Sequence, residues 1–374
     1  MTQNNEITTK RQQIRAEIKS GKYKSLAGII LDGMGQLIQM VTFSKKPPLF
    51  WYTSVVFVLF TLFICILITV PFGDSLLNVA PEIRLNLILL MFSLVLIGSL
   101  ILIVSATTHN RLLTTLGDNV LDAVATEDNL NSLRGWLATS FNMKTQVLIS
   151  LLPALVIFPL VGILFAAVTG INFGLPMYIV AIIAGFQVYV ILPVLVASFT
   201  MPHRLANYQL QVFSVDPSNS EVIDHLSDSI NSILLIVGVL TALFSIVVIV
   251  FTPTEIFGFV YTLLPAWATL IIVFVSGHYA LAKIIHRAKW KTLNSIQAQI
   301  ETLQEQEEIL TEKTLDHIKK LLDHHSQIRT TRNSALDIRA GLSLLQSLLL
   351  PLIGVFLANI LDVLEILSRF TTGK

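Results

Sequence analysis

The residues able to do chemistry are few and scattered. Eight histidines and one cysteine, Cys65, are the strongest nitrogen and sulfur ligands in the 374 residues. A single cysteine rules out a Cys-based zinc site and an intrachain disulfide. His317, His324 and His325 lie in one charged stretch. On a straight helix, however, seven residues separate His317 from His324 by roughly 10 Å, too far to share one ion. A solvated helix face is the expected role. His278, beside Tyr279, is the only histidine at the depth of an apolar run. It would sense protons, line a pathway, or sit at the interface with its polar edge toward water. Asp216 with Ser218 and Ser220 resembles a hydrolytic or cation cluster in composition. The step from Ser218 to Glu221 is that of a helix capping box, which is the expected use. The chain has no Gly-x-x-x-x-Gly-Lys-Ser/Thr, Gly-x-Gly-x-x-Gly, Gly-x-Ser-x-Gly or His-Glu-x-x-His. The expectation is a protein that is not an enzyme, with no cofactor and no metal site.

Composition says where these residues must sit. Hydrophobic residues make up 53% and charged residues only 13%, with a mean hydropathy of +0.73. A soluble domain carries about a quarter charged residues. The fold class expected is an all-α polytopic membrane protein. Runs free of Asp, Glu, Lys and Arg extend over Leu49–Gly73, Leu85–Thr108, Thr145–His203, Ser229–Thr254 and Ile256–Ala282. A crossing needs about 20 apolar residues, so the third run is too long for one helix. It divides near Gly170, Asn172, Gly174 and Pro176, residues that favour turns. Six transmembrane helices follow, at about 50–72, 85–106, 146–169, 175–199, 230–251 and 256–282. They read as three successive hairpins without a residue-level repeat.

Charge then orients the bundle. Lys10, Arg11, Arg15, Lys19, Lys22, Lys24, Lys45 and Lys46 precede the first span. Arg111, Arg134, Lys144, Arg204, Lys283, Arg287, Lys289 and Lys291 lie in segments on the same side, and Arg84 alone faces them. Basic loops stay in the cytoplasm, so the N-terminus and the bulk of the C-terminal region are expected there. The opening residues are polar and lack the apolar core of a signal peptide. Short connections on the other side suit a bacterial inner membrane.

Four regions follow from this layout. Residues 1–48 form a basic N-terminal segment, with Leu26, Ile29, Ile30, Leu37, Ile38 and Val41 near one helical face before Pro47 and Pro48. That face suits an amphipathic helix lying in the interface or a helix packed on the mouth of the bundle. Residues 49–283 are the bundle itself. Residues 110–141 read as two short helices, and Tyr208–Phe213 as an extended piece. Residues 284–339 form a long charged helix or helical hairpin, in which Ile296, Ile300, Leu303 and Leu310 keep heptad spacing before Ile318 and Leu322 shift phase. Such a coiled-coil region would pair within the chain or between copies. Residues 340–374 carry an apolar helix, interrupted by Gln346, Pro351 and Asn359, that lies in plane, re-enters or makes a seventh crossing.

None of the six spans holds an ionisable Asp, Glu, Lys or Arg. Proton pumps carry such groups as relays, which disfavours a proton-coupled transporter, whereas a pore lined by amides and hydroxyls is unaffected. Gln187, with Tyr189 close by, leads the polar residues at membrane depth, followed by Thr61, Ser93, Ser99, Thr241 and Ser245. Each would line a pore or bond between packed helices. Gly162, Ala166 and Gly170, with Ala181 and Gly185, recur every four residues and allow close helix packing. Pro153, Pro159, Pro193 and Pro265 imply kinks. The function expected is an oligomeric channel-like or membrane-perturbing protein controlled through its cytoplasmic helices. Two alternatives stand beside it: a scaffold or accessory subunit that docks a cytoplasmic protein, and an uncoupled transporter of an apolar or lipid-like substrate. The expected partners are the lipid bilayer, further copies of the chain and a cytoplasmic protein, and no nucleic acid.

Overall fold

The computed structural model describes residues 2–44, 46–69, 81–169, 175–213, 215–251, 264–306, 312–333, 341–342, 344–350 and 353. These are mostly helical, with no strands among the described residues. The helices are α1 (Thr2–Lys19), α2 (Leu26–Thr42), α3 (Phe50–Thr69), α4 (Pro81–Thr115), α5 (Leu121–Ala123), α6 (Glu127–Ser140), α7 (Met143–Thr169), α8 (Leu175–Tyr189), α9 (Leu192–Leu205), α10 (Glu221–Phe251), α11 (Leu264–Gln306) and α12 (Glu312–Thr330). Five stretches are long and apolar enough to cross a membrane: Phe50–Ile68, Ile88–Ala123, Tyr178–Leu205, Glu221–Leu243 and Leu270–Glu305. A sixth arises if Glu127–Ser140 and Met143–Ile157, bent by 44°, count as one. In Ile88–Ala123, Glu221–Leu243 and Leu270–Glu305 the charged residues lie toward one end, and the remaining apolar part satisfies its backbone within the helix, as a crossing in lipid requires.

Three sequence expectations shift in detail. The single helix predicted over 175–199 is two, because α8 ends at Tyr189 and α9 starts at Leu192. The two short helices predicted over 110–141 are the end of α4, a π-helical turn at Leu116–Val120, the short α5, and α6. The capping box at Ser218 does not form. Ser218 lies in a 3-10 turn whose start is capped by Asp216, and α10 begins at Glu221, where the Ser220 hydroxyl accepts from the Phe213 amide at 2.8 Å. The start of the sixth expected span, up to residue 263, lies outside the described residues.

On the basic side the N-terminal helix is bolted to the loops between spans. Lys10 pairs with Glu127, and Arg15 donates to the Gly117 carbonyl at 2.9 Å and to Asp122 at 3.0 Å. Arg11 donates to the Val124 carbonyl at 2.7 Å. The extended piece after α9 joins the same body, with Leu210 bridged antiparallel to Val124. Ile14, Tyr23, Leu116, Leu130, Leu137, Leu205, Ile223 and Ile285 belong to one buried cluster beneath these contacts. The sequence could not show this, because each piece is too short to bury a face alone.

Glu17 is the hub of that body. Arg134 bonds it through both a terminal nitrogen and Nε, the latter at 3.0 Å, while Tyr23 donates at 2.6 Å and Lys22 sits 3.0 Å away. The Arg134 guanidinium, with Tyr23 and Lys22, holds the Glu17 carboxyl down at about 2 against an ordinary 4.5, although burial opposes this. Burial and the bond to Glu17 push the Tyr23 phenol up to about 12. A depressed carboxyl adds stability that is complete above its unfolded value and fades as pH falls toward the native one. The basic-side body is therefore expected to loosen between about pH 4.5 and about pH 2. Trp136, buried against Phe141 at 6.3 Å, reports on it. Its emission should shift over that window in the wild type. Glu17→Gln should start from the loosened emission and show no such step; an identical titration would remove Glu17 from this role.

Beyond the bundle α11 continues as a long rod, and α12 folds back along it. Leu293, Ile296, Ile300, Ile318 and Ile328 form their shared core. The hairpin is closed within one chain, and Leu310 lies outside the described residues. At its root the buried Lys289 donates to the Arg329 carbonyl at 2.9 Å, the Thr331 carbonyl at 2.7 Å and Asn333 Oδ1 at 2.8 Å, capping α12.

The described part of the last apolar stretch packs on α10. Ile230 lies against Gly277, where a Cβ would stand 2.9 Å from its Cδ1. Eight residues along α10, about 12 Å further from the basic side, a Cβ on Gly238 would stand 2.9 Å from the Ser347 carbonyl oxygen. Ser347 is fully buried there.

Candidate functional site

The polar side chains expected at membrane depth come together around one point on α4. Gly98 and Ser99 lie near the middle of that helix's apolar stretch. On one side, the Thr61 hydroxyl of α3 stands 3.1 Å from the Ser99 hydroxyl. Ser99 donates to the Val95 carbonyl at 2.9 Å, as a serine in a membrane helix must when no water is present. On the other side is Gln187 of α8, only 3% exposed. Gly98 admits it: a Cβ there would lie 2.9 Å from Gln187 Oε1 and 3.1 Å from the Ala184 carbonyl oxygen. Thr61, Ser99 and Gln187 thus form a polar layer across three helices midway through the bundle.

Three residues beyond Gln187 the helix breaks at Val190 and Ile191. Pro193 is the physical reason: it has no amide to give the Tyr189 carbonyl and its ring crowds that turn. Val190 still donates to the Phe186 carbonyl at 3.0 Å, and Leu195 donates to Ile191 at 2.9 Å on the other side. The carbonyl of Val190 is met by the buried Ser105 hydroxyl of α4 at 3.3 Å. The break falls midway along Tyr178–Leu205, and Val190 packs in the same buried cluster as Leu102, Ile103 and Ala106 of α4.

Gln187 Oε1 is buried and has no hydrogen-bond partner among the described residues. Leaving such an acceptor unmet costs on the order of 1–3 kcal/mol. Chemically it is a site for a cation, a water or a donor group of a solute; it is neither acid nor base.

The remaining predicted residues lie elsewhere. Tyr189 is half-buried at the end of α8. His278 is buried on α11 with its ring 4.5 Å from that of Phe274, well apart in sequence and helix from the Gln187 layer. Gly162 and Ala166 fall within α7, outside the residues whose side chains are described, and Gly170 lies outside the described residues. Gly185 is buried and Ala181 half-buried on α8. Ala184, between them in sequence, is the small residue that meets Gly98. Among the described residues no three His, Cys, Asp or Glu side chains are placed to hold a metal ion.

The sequence reading passed over Gly98, Ala184 and Ser105. The signal was present in part, since Ala184 and Gln187 are one helical turn apart and Pro193 follows six residues later. Their common partner on α4, nearly ninety residues earlier, is not visible in any local pattern. No family model matches the chain, and no curated protein or solved structure matches it either, so the geometry alone carries the functional reading.

Proposed function

We propose that this is a non-enzymatic membrane protein of the channel-like or membrane-perturbing kind, with its basic side in the cytoplasm of a cell whose inner membrane it spans. The break in α8–α9 beside the buried, unmet Gln187 Oε1 carries this reading. A buried polar layer with one unmet amide oxygen would give a dehydrated ion or small polar solute a resting point on its way across. The basic-side body, bonded to α1 and to the loops between spans, is the lever that would control it. Copies of the chain would assemble so that these layers face a common path.

Flux from liposomes decides the matter. Gln187→Leu keeps the volume and removes the amide, so flux is expected to fall about tenfold or more while the melting profile is kept. Unchanged flux would remove Gln187 from the path, and no flux from the wild type would end the reading. The mass in lipid nanodiscs gives the number of copies, and a monomer excludes a path shared between copies.

A second reading, a scaffold that docks a cytoplasmic protein, is favoured by the α11–α12 hairpin. It is a rigid extension of a span, and Leu315 and Leu322 are exposed on its outer face. Deleting 292–330 should abolish recovery of that protein and leave the spans inserted; recovery that survives the deletion rejects it.

A further inference from the structure

We infer that α2 is a lipid-facing strap, seated at the boundary between headgroups and acyl chains with its own dedicated apolar face toward the membrane. This goes beyond the permeation reading and does not rest on it.

Three arcs of α2 carry the inference. At about 100° per residue, Ala27, Leu31, Met34, Gly35 and Ile38 share one arc, and all five are buried. They pack on Phe57 of α3 and on Leu102, Ile103 and Ala106 of α4, so the strap lies level with the ends of two spans. Its far half returns onto α3, with the Gly35 Cα close enough that a Cβ would meet Pro48 at 3.6 Å and Thr53 at 3.7 Å. A second arc of about 120° holds Ile29, Gly33, Leu37, Met40 and Val41, all exposed, with Ile30 half-buried; only Leu26, in the first turn, is buried there. A third, narrower arc holds Asp32, Gln36 and Gln39. Asp32 pairs there with Lys24 at 2.7 Å. A helix with protein on one side needs only two faces in water. This one has three, and the second is apolar without interruption.

The occupant of the second face is fixed by what continues it. Beyond α2 in sequence Phe43, Leu49 and Trp51 are strongly exposed, and Val55, Leu59 and Phe63 continue from Trp51 at four-residue steps along one exposed face of the spanning helix α3, with the exposed Lys46 at the corner. The lipid-facing side of a span is thus extended around the corner onto α2. Phe43 makes the turn at φ 51° and is 93% exposed. An aromatic residue in the left-handed region is uncommon and strained. Aromatic residues at this level belong to the belt that membrane proteins place at the interface. The polar third arc then faces the cytoplasm, which is the arrangement of an interfacial amphipathic helix.

The test uses the full chain with Cys65→Ser in vesicles of phosphatidylethanolamine and phosphatidylglycerol. A nitroxide is placed in turn by Met40→Cys, Phe43→Cys and Gln36→Cys, three exposed positions whose replacement disturbs no packing. Collision rates are measured with oxygen, which concentrates in lipid, and with a water-soluble nickel chelate. The expected result is oxygen exceeding the chelate several-fold at 40 and 43, and the reverse at 36. Chelate in excess at 40 and 43 would put the face in water and overturn the proposal. Low access to both reagents would show that a second copy covers the face, which also overturns it. High oxygen at all three would sink the helix below the interface and reject the three-sided placement.

Discussion

Replacing Gly238 by leucine is expected to unseat the C-terminal apolar segment from α10. The contact is backbone on backbone: a Cβ at Gly238 would stand 2.9 Å from the Ser347 carbonyl oxygen and 3.1 Å from its Cα. Neither atom is at the end of a flexible chain, so no rotamer change relieves the overlap. Overpacking costs about 1–3 kcal/mol even where side chains can shift, and here two helices must separate. Gly238→Ala already carries the overlapping Cβ and should weaken the contact, and Gly238→Leu should break it. In a Cys65→Ser, Ser347→Cys protein, a maleimide should label position 347 slowly, because Ser347 is fully buried. Adding Gly238→Leu should raise that rate at least tenfold and lower the melting temperature in detergent. Unchanged labelling would mean that the segment is not held by this contact.

The second large effect is expected at Lys289. Its ammonium spends three donors on three oxygens at the end of α12, and the residue is only 4% exposed. Bonds to a charged group contribute about 1.5–3 kcal/mol each, and a cation at a helix C-terminus adds to this through the helix dipole. Lys289→Met keeps the apolar stem and removes all three bonds, so a loss of about 2–4 kcal/mol is expected once the methionine's better burial is set against it. Hydrogen exchange should accelerate along α12 and the facing part of α11, and stay unchanged in α3 and α4. Lys289→Arg should rescue little, since a planar guanidinium points its donors within one plane. Equal exchange in wild type and Lys289→Met would show that the apolar core of Ile300, Ile318 and Ile328 holds the hairpin alone.

How much of this could be read beforehand differs from element to element. The apolar helices were legible, because a crossing is a local quantity: twenty or so residues without charge can satisfy their backbone only as helix. The heptad residues Ile296 and Ile300 do face a partner helix, and Ile318, in the shifted phase, lies on that partner, α12. Pro193 announced a kink. The capping box at Ser218 misled, because spacing alone cannot distinguish a cap of α10 from a residue one turn earlier. There Asp216 is the stronger acceptor, with the Ser218 and Asn219 side chains both donating to it. The face assigned to α2 was also mixed. Leu26 and Ile38 are buried, whereas Ile29, Leu37 and Val41 are exposed. An apolar residue looks the same in sequence whether a neighbour helix or lipid covers it.

By itself the sequence determined the membrane class, the helical content and the placing of Lys and Arg on one side, since each depends on how a short stretch of chain partitions between water and hydrocarbon. Only the tertiary structure decided that Gly98 receives Gln187, that Glu17 gathers Arg134, Tyr23 and Lys22, that Lys289 caps α12, and that Ser347 rests on Gly238. In every one of these pairings except Glu17 with its near neighbours, tens of residues lie between the partners, up to more than a hundred. The reason is physical: a membrane helix has no local signal for which of its polar or small residues will meet another helix. That choice is made when the helices pack, by close fit and by the cost of a polar group left unmet in an apolar interior.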